Sequence, residues 1–225
     1  MTRAVLFDWR GTLAATLTER DWVEQALNAL GRDRSHGTVD SIVAAIGRAN
    51  GAENRLDAPG VDCDADLHRR TYLDVFADAG LDPELAAALY AVESDPGRNR
   101  FALDVRSTFD GLRARGLLIA VVSDIHVDLR PAFAAAGLGG LVDVFTLSVE
   151  QGVQKPDPEM FTRTLDALGV PPGDALMVGD RSRPDGAAVE SGIATLLLPP
   201  LRSVEDRRLH TVLALVDADQ VRREH

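Results

Sequence analysis

Four short motifs carry groups that can do chemistry together. They are Asp8 in Phe7-Asp8-Trp9-Arg10-Gly11-Thr12-Leu13, the pair Ser123-Asp124 after Val122, Lys155 in Gln154-Lys155-Pro156-Asp157-Pro158, and Asp180 after Gly179, followed at a short interval by Asp185. A carboxylate such as Asp8 can attack phosphorus and form an acyl phosphate, which splits one hard hydrolysis into two easier steps. Two anions repel, so the attack needs neutralising charge. A divalent ion held by Asp8 and Asp180 would supply it, with the oxygen-rich shell typical of Mg2+. Lys155 and the Ser123 hydroxyl, with Asp124 beside it, can hold the phosphoryl oxygens, and the backbone amides from Trp9 through Arg10 and Gly11 to Thr12 add fixed donors. Asp185 is spaced to order Lys155 or a water on the ion.

Of 24 basic residues, Lys155 is the single lysine. A chain that uses arginine everywhere else and keeps lysine here points to a site requiring a compact ammonium with three donors rather than a planar guanidinium fork.

Residues this far apart in sequence need a scaffold that brings them to one edge. Short apolar runs recur at Ala4 to Phe7, Leu117 to Val122, Val142 to Leu147, Ala175 to Val178 and Ala194 to Leu198. Continuous apolar strands covered on both faces are what a parallel sheet with helical crossovers requires. Val105, Phe109 and Leu112 fall on one helical face before a stop at Gly116; Phe161, Leu165 and Leu168 repeat the pattern, entered by Asp157-Pro158 and closed by Gly169. The fold class is α/β. In such a sheet ligands bind beyond the carboxyl ends of the strands, where Asp8, Ser123, Asp124, Lys155 and Asp180 all fall.

From Ala14 to Leu103 the sequence carries no strand pattern and reads as a helical insertion, residues 15–103, in a core made of residues 1–14 and 104–225. Thr18-Glu19-Arg20-Asp21 is close to a capping box with Asp in place of Glu, and Trp22, Ala26, Leu27 and Leu30 form an apolar stripe before Gly31. Further helices are predicted from Val39 to Ala49, Asp64 to Ala79 and Pro83 to Val92. Gly51 to Gly60, rich in Gly, Asn, Asp and Pro, reads as a loop. After Pro199-Pro200 a turn and an amphipathic element at Val204 to Leu215 are expected. Arg20, Trp22, Arg48, Asn50, His68, Arg69 and Arg70 are candidate selectivity residues of the insertion.

The net charge is −11 and no basic run exceeds a pair of arginines, which argues against nucleic acid or an anionic membrane surface as a partner and for a small ligand. Cys63 is the only cysteine, so no intramolecular disulfide or cysteine zinc cage can form, as suits a reducing compartment. The chain enters an apolar strand at Ala4 and holds no apolar stretch of membrane-spanning length, so a cytoplasmic protein, monomeric or homodimeric, is expected.

The four motifs, in their order and spacing, resemble those of the haloacid dehalogenase superfamily of phosphatases, phosphotransferases and dehalogenases. The resemblance implies a Rossmann-like parallel core with a helical cap inserted after the first motif, of the dehalogenase/phosphoglucomutase type. It also implies Asp8 as nucleophile, and Mg2+ on Asp8, Asp180 and the backbone carbonyl of Arg10. A small phosphorylated substrate follows from the same resemblance.

One position departs from the pattern. Phosphatases of this superfamily carry a second aspartate two residues after the nucleophile, acting as general acid and then base, and here that residue is Arg10. A guanidinium stays protonated, so it can donate hydrogen bonds but cannot shuttle a proton. Such a proton shuttle contributes roughly 10²- to 10⁴-fold in rate. Either the leaving group needs no proton, or another group such as His126 supplies it, or turnover is low. The readings left open are a Mg2+-dependent phosphatase, a metal-independent 2-haloacid dehalogenase, and a descendant that binds a ligand or partner with little turnover. The Schiff-base phosphonate branch is excluded, because the insertion has no lysine.

Overall fold

A computed structural model describes residues 1–223. Five strands, β1 (Ala4–Phe7), β2 (Leu118–Ser123), β3 (Val144–Leu147), β4 (Ala175–Gly179) and β5 (Ala194–Leu197), form one parallel sheet in the order β3-β2-β1-β4-β5. The helices in chain order are α1 (Glu19–Ala29), α2 (His36–Asn50), α3 (Ala65–Asp78), α4 (Pro83–Glu93), α5 (Val105–Ala114), α6 (Arg130–Ala135), α7 (Ser148–Gln151), α8 (Pro158–Leu168) and α9 (His210–Arg223).

Alternate side chains of a strand point to opposite faces, and β1 shows how this builds two cores. Val5 and Phe7 join Phe109 and Leu112 of α5, Phe133 of α6 and Val212 and Val216 of α9 on one face. Ala4 and Leu6 join Met160, Phe161 and Leu165 of α8 on the other. Each large apolar side chain so buried contributes about 1.5–3 kcal/mol. The sheet therefore lies between two helical layers and presents its strand ends along one edge.

β5 departs from expectation. Its residues are exposed or only half-buried, and it is one of the two edge strands.

Helices α1 to α4 pack on one another around a separate apolar cluster that includes Val23, Leu27, Val39, Phe76 and Leu89. Thr18 and Asp21 close the capping box of α1 as the sequence predicts. Helix α2 begins earlier than predicted, because the Ser35 side chain accepts a hydrogen bond from the Thr38 amide; His36-Gly37 has no apolar periodicity to signal this. Asp64 and Asp82 cap α3 and α4, and Pro83 occupies the first turn of α4. The predicted loop from Gly51 to Gly60 contains one short 3₁₀ turn, Arg55–Asp57.

The tail differs most. The final helix is His210–Arg223, not Val204 to Leu215. Val204 and Leu209 are buried in an irregular segment: the Leu103 amide donates to the Val204 carbonyl, the Leu209 amide to Asp104 Oδ2 and the Leu201 amide to the Gly11 carbonyl. The apolar residues that suggest a helix there anchor loops instead.

Candidate functional site

Asp8 follows β1, which lies between β2 and β4 where the strand order reverses, so the crevice of the sheet opens at its carboxyl end. The Asp8 amide is held by the Val178 carbonyl of β4. One side-chain oxygen, Oδ1, lies 2.6 Å from Lys155 Nζ; the other, Oδ2, lies 3.3 Å from Thr12 Oγ1, which is itself 3.1 Å from Asp180 Oδ1. Lys155 Nζ also lies 2.6 Å from Asp185 Oδ1, while Asp185 Oδ2 accepts the amides of Asp180 and Arg181 at 3.1 and 2.9 Å. Asp185 thus sets both the ammonium and the turn that carries Asp180.

Two glycines make these approaches possible. A Cβ on Gly179 would fall 2.3 Å from Asp185 Cγ, and Gly11, at φ +83°, leaves room where a Cβ would sit 2.5 Å from Asp180 Oδ2. The Gly11 loop is tied down from the tail. Arg208 donates to the carbonyls of Gly11 and Thr12, beside the Leu201 amide on Gly11.

Asp8, Lys155 and Asp185 are all buried, so their charges are weakly screened. Burial alone would lower Lys155, but the carboxylates of Asp8, Asp185 and Asp124 outweigh it and raise it above an ordinary lysine. Burial likewise pushes Asp185 up, and Lys155 with the amide and charge of Arg181 more than offsets it, holding the carboxyl below its usual range. Asp8 is raised by burial and by Asp185, against the pull of Lys155. Asp180 is pushed up to about 6 by burial and the neighbouring Asp8 charge.

The charges at this edge do not balance. Asp8, Asp124, Asp180 and Asp185 face Lys155 and Arg181, leaving an excess of negative charge. Asp8, Asp180 and Asp185 each offer an oxygen within 4.8 Å of the others. An oxygen-only donor set with surplus negative charge fits a hard divalent cation of the Mg2+ type.

The other predicted residues are placed as follows. Ser123 ends β2, buried beside the site. Asp124 Oδ1 accepts the Lys155 backbone amide at 2.8 Å and its Oδ2 pairs with Arg181 at 3.2 Å, so this carboxylate is engaged in positioning the lysine loop. The Trp9 side chain is wholly buried in the core, which leaves only its backbone for a ligand. Arg10 turns to the helical layer, where Nη1 meets Glu93 Oε1 at 2.6 Å and Nη2 meets the Glu93 carbonyl at 3.2 Å. A cavity of about 80 Å³ lined by Arg10, Leu17, Trp22, Glu93 and Asn99 adjoins this pair. A larger recess of about 390 Å³, lined by Thr2, Leu176, Ala194 and Thr195, lies at the opposite ends of the strands.

Several candidates of the insertion face elsewhere. Arg48, Arg69 and Arg70 are exposed, Arg20 pairs with Asp40 and Asn50, at the end of α2, bonds to the loop that follows it, while Trp22 lines the small cavity beside Arg10 and donates to the Leu89 carbonyl. His126 packs against His68. Sequence reasoning missed Arg181 and Arg208. For Arg181 a signal exists, a cation directly after Asp180 in the stretch that runs to Asp185; Arg208 lies in a tail with no motif.

A phosphoserine phosphatase of Thermus thermophilus is 33% identical over 138 residues, which cover 58% of this chain and 55% of that protein. The chain thus matches about half the length of that relative. A phosphoglycolate phosphatase of Aquifex aeolicus is 27% identical over 87% of this chain and 84% of its own length. Among solved structures, a 2-haloacid dehalogenase of Pseudomonas syringae pv. Tomato superposes over 97% of this chain and 99% of its own, with a TM-score of 0.65 at 20% identity, a likeness of fold. A family model for haloacid dehalogenase-like hydrolases matches residues 2–191, a span that takes in every motif from Asp8 to Asp185, and the chain belongs to that family.

Proposed function

We propose that this chain is a Mg2+-dependent phosphatase of a small phosphorylated metabolite, acting through an aspartyl phosphate on Asp8. The observation that carries the reading is the pairing of buried Asp8 with Lys155 at an edge that still holds surplus negative charge. Asp8, Asp180 and the backbone carbonyl of Arg10 would hold the ion, which lowers the repulsion between carboxylate and phosphoryl group.

The Asp8 carboxylate forms the new bond to phosphorus, and the bond from phosphorus to the leaving oxygen breaks. Lys155 stays protonated and holds Asp8 Oδ1 and a phosphoryl oxygen, with the Ser123 hydroxyl and the amides of the Trp9–Thr12 turn as further donors. Water then attacks the phosphorus of the acyl phosphate, the bond from phosphorus to the Asp8 oxygen breaks, and inorganic phosphate leaves carrying the water's proton, which restores the Asp8 carboxylate. Arg10 cannot protonate the leaving group, so leaving groups that depart as anions are favoured. Helices α1 to α4 act as a cap, fastened to the core by Arg10 and Glu93, and selectivity lies on their inner face. A cytoplasmic setting, with a single cysteine, belongs to the same reading.

The dehalogenase alternative fits less well, because Asp180 completes a cation-binding set that a metal-free halide displacement does not use. The deciding experiment incubates the protein with phosphate monoesters, acyl phosphates and 2-haloacids, with Mg2+ or with chelator. Mg2+-dependent phosphate release that disappears in Asp8→Asn supports the phosphatase. Halide release in chelator, or no release from any substrate, overturns it.

A further inference from the structure

A second polar cluster lies where the helical layer meets the sheet. Asp62 sits in a 3₁₀ turn, Val61–Cys63, and His68 in α3, both from the helical layer; His126 follows β2 from the sheet. The two imidazoles lie face to face, centroids 3.3 Å apart and planes 12° from parallel, and both residues are almost wholly buried. Each ring has one nitrogen beside a hydroxyl: His68 Nδ1 is 3.3 Å from Tyr90 Oη, and His126 Nε2 is 3.1 Å from Ser94 Oγ. The remaining nitrogens, His68 Nε2 and His126 Nδ1, face the same oxygen, Asp62 Oδ1, at 3.7 and 3.6 Å.

Those separations are too long for hydrogen bonds, and His126 Nδ1 is buried with no hydrogen-bond partner among the described residues. Leaving a buried polar atom unpaired costs about 1–3 kcal/mol, so a group that bound there would relieve a real penalty. Two imidazole nitrogens and a carboxylate oxygen, all within 4.8 Å of one another, are the donor set of a borderline metal ion rather than of Mg2+. In a tetrahedral zinc site with bonds of roughly 2.0–2.2 Å, neighbouring ligand atoms stand about 3.4 Å apart, and Asp62 Oδ1 stands 3.7 and 3.6 Å from the two nitrogens. Metal-bound histidines carry their proton on the other ring nitrogen and donate it to a neighbour, and Tyr90 Oη and Ser94 Oγ stand where that neighbour is required.

We propose that Asp62, His68 and His126 form a Zn2+-type site that fastens the helical layer to the sheet. Stacked rings cannot both aim in-plane lone pairs at one point, so binding turns them out of the stack. The ion then joins Asp62 and His68 to the loop that follows Ser123-Asp124, and it adds to the existing tie of Ser148 Oγ to the Asp62 carbonyl at 2.8 Å. The site is distinct from the Asp8–Asp180 edge in residues and ligand chemistry, and it does not rest on the phosphatase reading.

The test uses the untagged chain in excess Mg2+, added to compete with Zn2+ at the carboxylate edge, loaded with Zn2+ and freed of unbound metal by gel filtration. Metal analysis should find one Zn2+ per chain, and titration should give a Kd at least tenfold weaker in Asp62→Asn, His68→Gln and His126→Gln. Ser94→Ala and Tyr90→Phe, which keep all three ligands, should weaken binding by about tenfold. Zn2+ should also slow hydrogen exchange of the Asp62–Leu67 amides in the parent and not in His126→Gln. Parent protein that retains no Zn2+ overturns the proposal without recourse to any variant. So does retention that survives His126→Gln but is lost in Asp8→Asn, which would place the ion at the carboxylate edge.

Discussion

Lys155 Nζ stands 2.6 Å from Asp8 Oδ1, and neither side chain is open to solvent. The ammonium reaches Asp185 at the same distance, so one compact cation spans two buried carboxylates. An arginine keeps the charge but needs more volume than a closed site offers. Lys155→Arg should therefore lower turnover by about 10²-fold or more, the scale of losing a preorganised donor, and fall within a few-fold of Lys155→Ala. Both variants should lose stability, because breaking a buried ion pair costs about 3–5 kcal/mol. Phosphate-release kinetics and thermal melts check this; parent-like turnover in Lys155→Arg would mean that charge suffices and shape does not matter.

Gly179 and Asp185 make a second, purely steric prediction. A methyl on Gly179 must displace the Asp185 carboxyl, which holds Lys155 and two amides. Gly179→Ala should cut kcat at least about tenfold and destabilise the fold by about 1–3 kcal/mol, the usual cost of overpacking. Gly186→Ala is the control, since its Cβ meets only Leu197 Cδ1 at an ordinary 3.8 Å. Equal behaviour of the two variants would remove the steric argument.

The sheet and its polar edge are legible in the sequence because each buried strand is an apolar run that ends in a glycine, serine or acid, and the crossover rule puts all those ends together. Strand ends alone, however, do not say where a side chain turns. Arg10 departs from the motif at a visible place, yet its partner Glu93 lies at the end of a helix with no motif of its own. His126 is visible beside Ser123-Asp124, but its stacking on His68 depends on how α3 docks, which is a tertiary fact. Arg208 holds the Gly11 loop from a tail whose apolar residues mimic a helix. Local pattern fixes elements well; contacts between distant loops leave no periodicity to read.

Arg10 and Glu93 set the terms for testing the missing acid. Arg10→Asp alone would place a carboxylate against Glu93 and break the tie between core and helical layer. Arg10→Asp combined with Glu93→Gln removes that repulsion and offers a proton donor. The double variant should raise turnover of alkyl phosphates by about tenfold, toward the lower end of what general acid catalysis contributes, with much less effect on p-nitrophenyl phosphate, whose leaving group needs no proton. The single variant should gain less on both. A parallel fall on both substrates in the double variant would show instead that Arg10 binds the substrate.

Asp180 gives the last prediction, a pH dependence of the metal requirement. Its carboxyl is raised to about 6 by burial and by the nearby Asp8 charge, against an ordinary value of 3.8. A carboxylate must be ionised to ligate a cation, so binding below that pH has to expel a proton. The Mg2+ concentration for half-maximal activity should be flat above pH 6 and rise about tenfold per unit as pH falls below it. The linked stability effect has the opposite sense. A raised carboxyl favours the folded state while protonated, so in metal-free protein the contribution of Asp180 is fully present below pH 3.8 and is lost as pH rises through about 6. Mg2+ activation curves from pH 5 to 8 and urea midpoints in chelator measure the two. In Asp180→Asn the stability change across that window should shrink, because the amide does not titrate. A Mg2+ requirement that stays constant from pH 7 to pH 5 would remove Asp180 from the ligand set, leaving the raised carboxyl as a consequence of crowding beside Asp8.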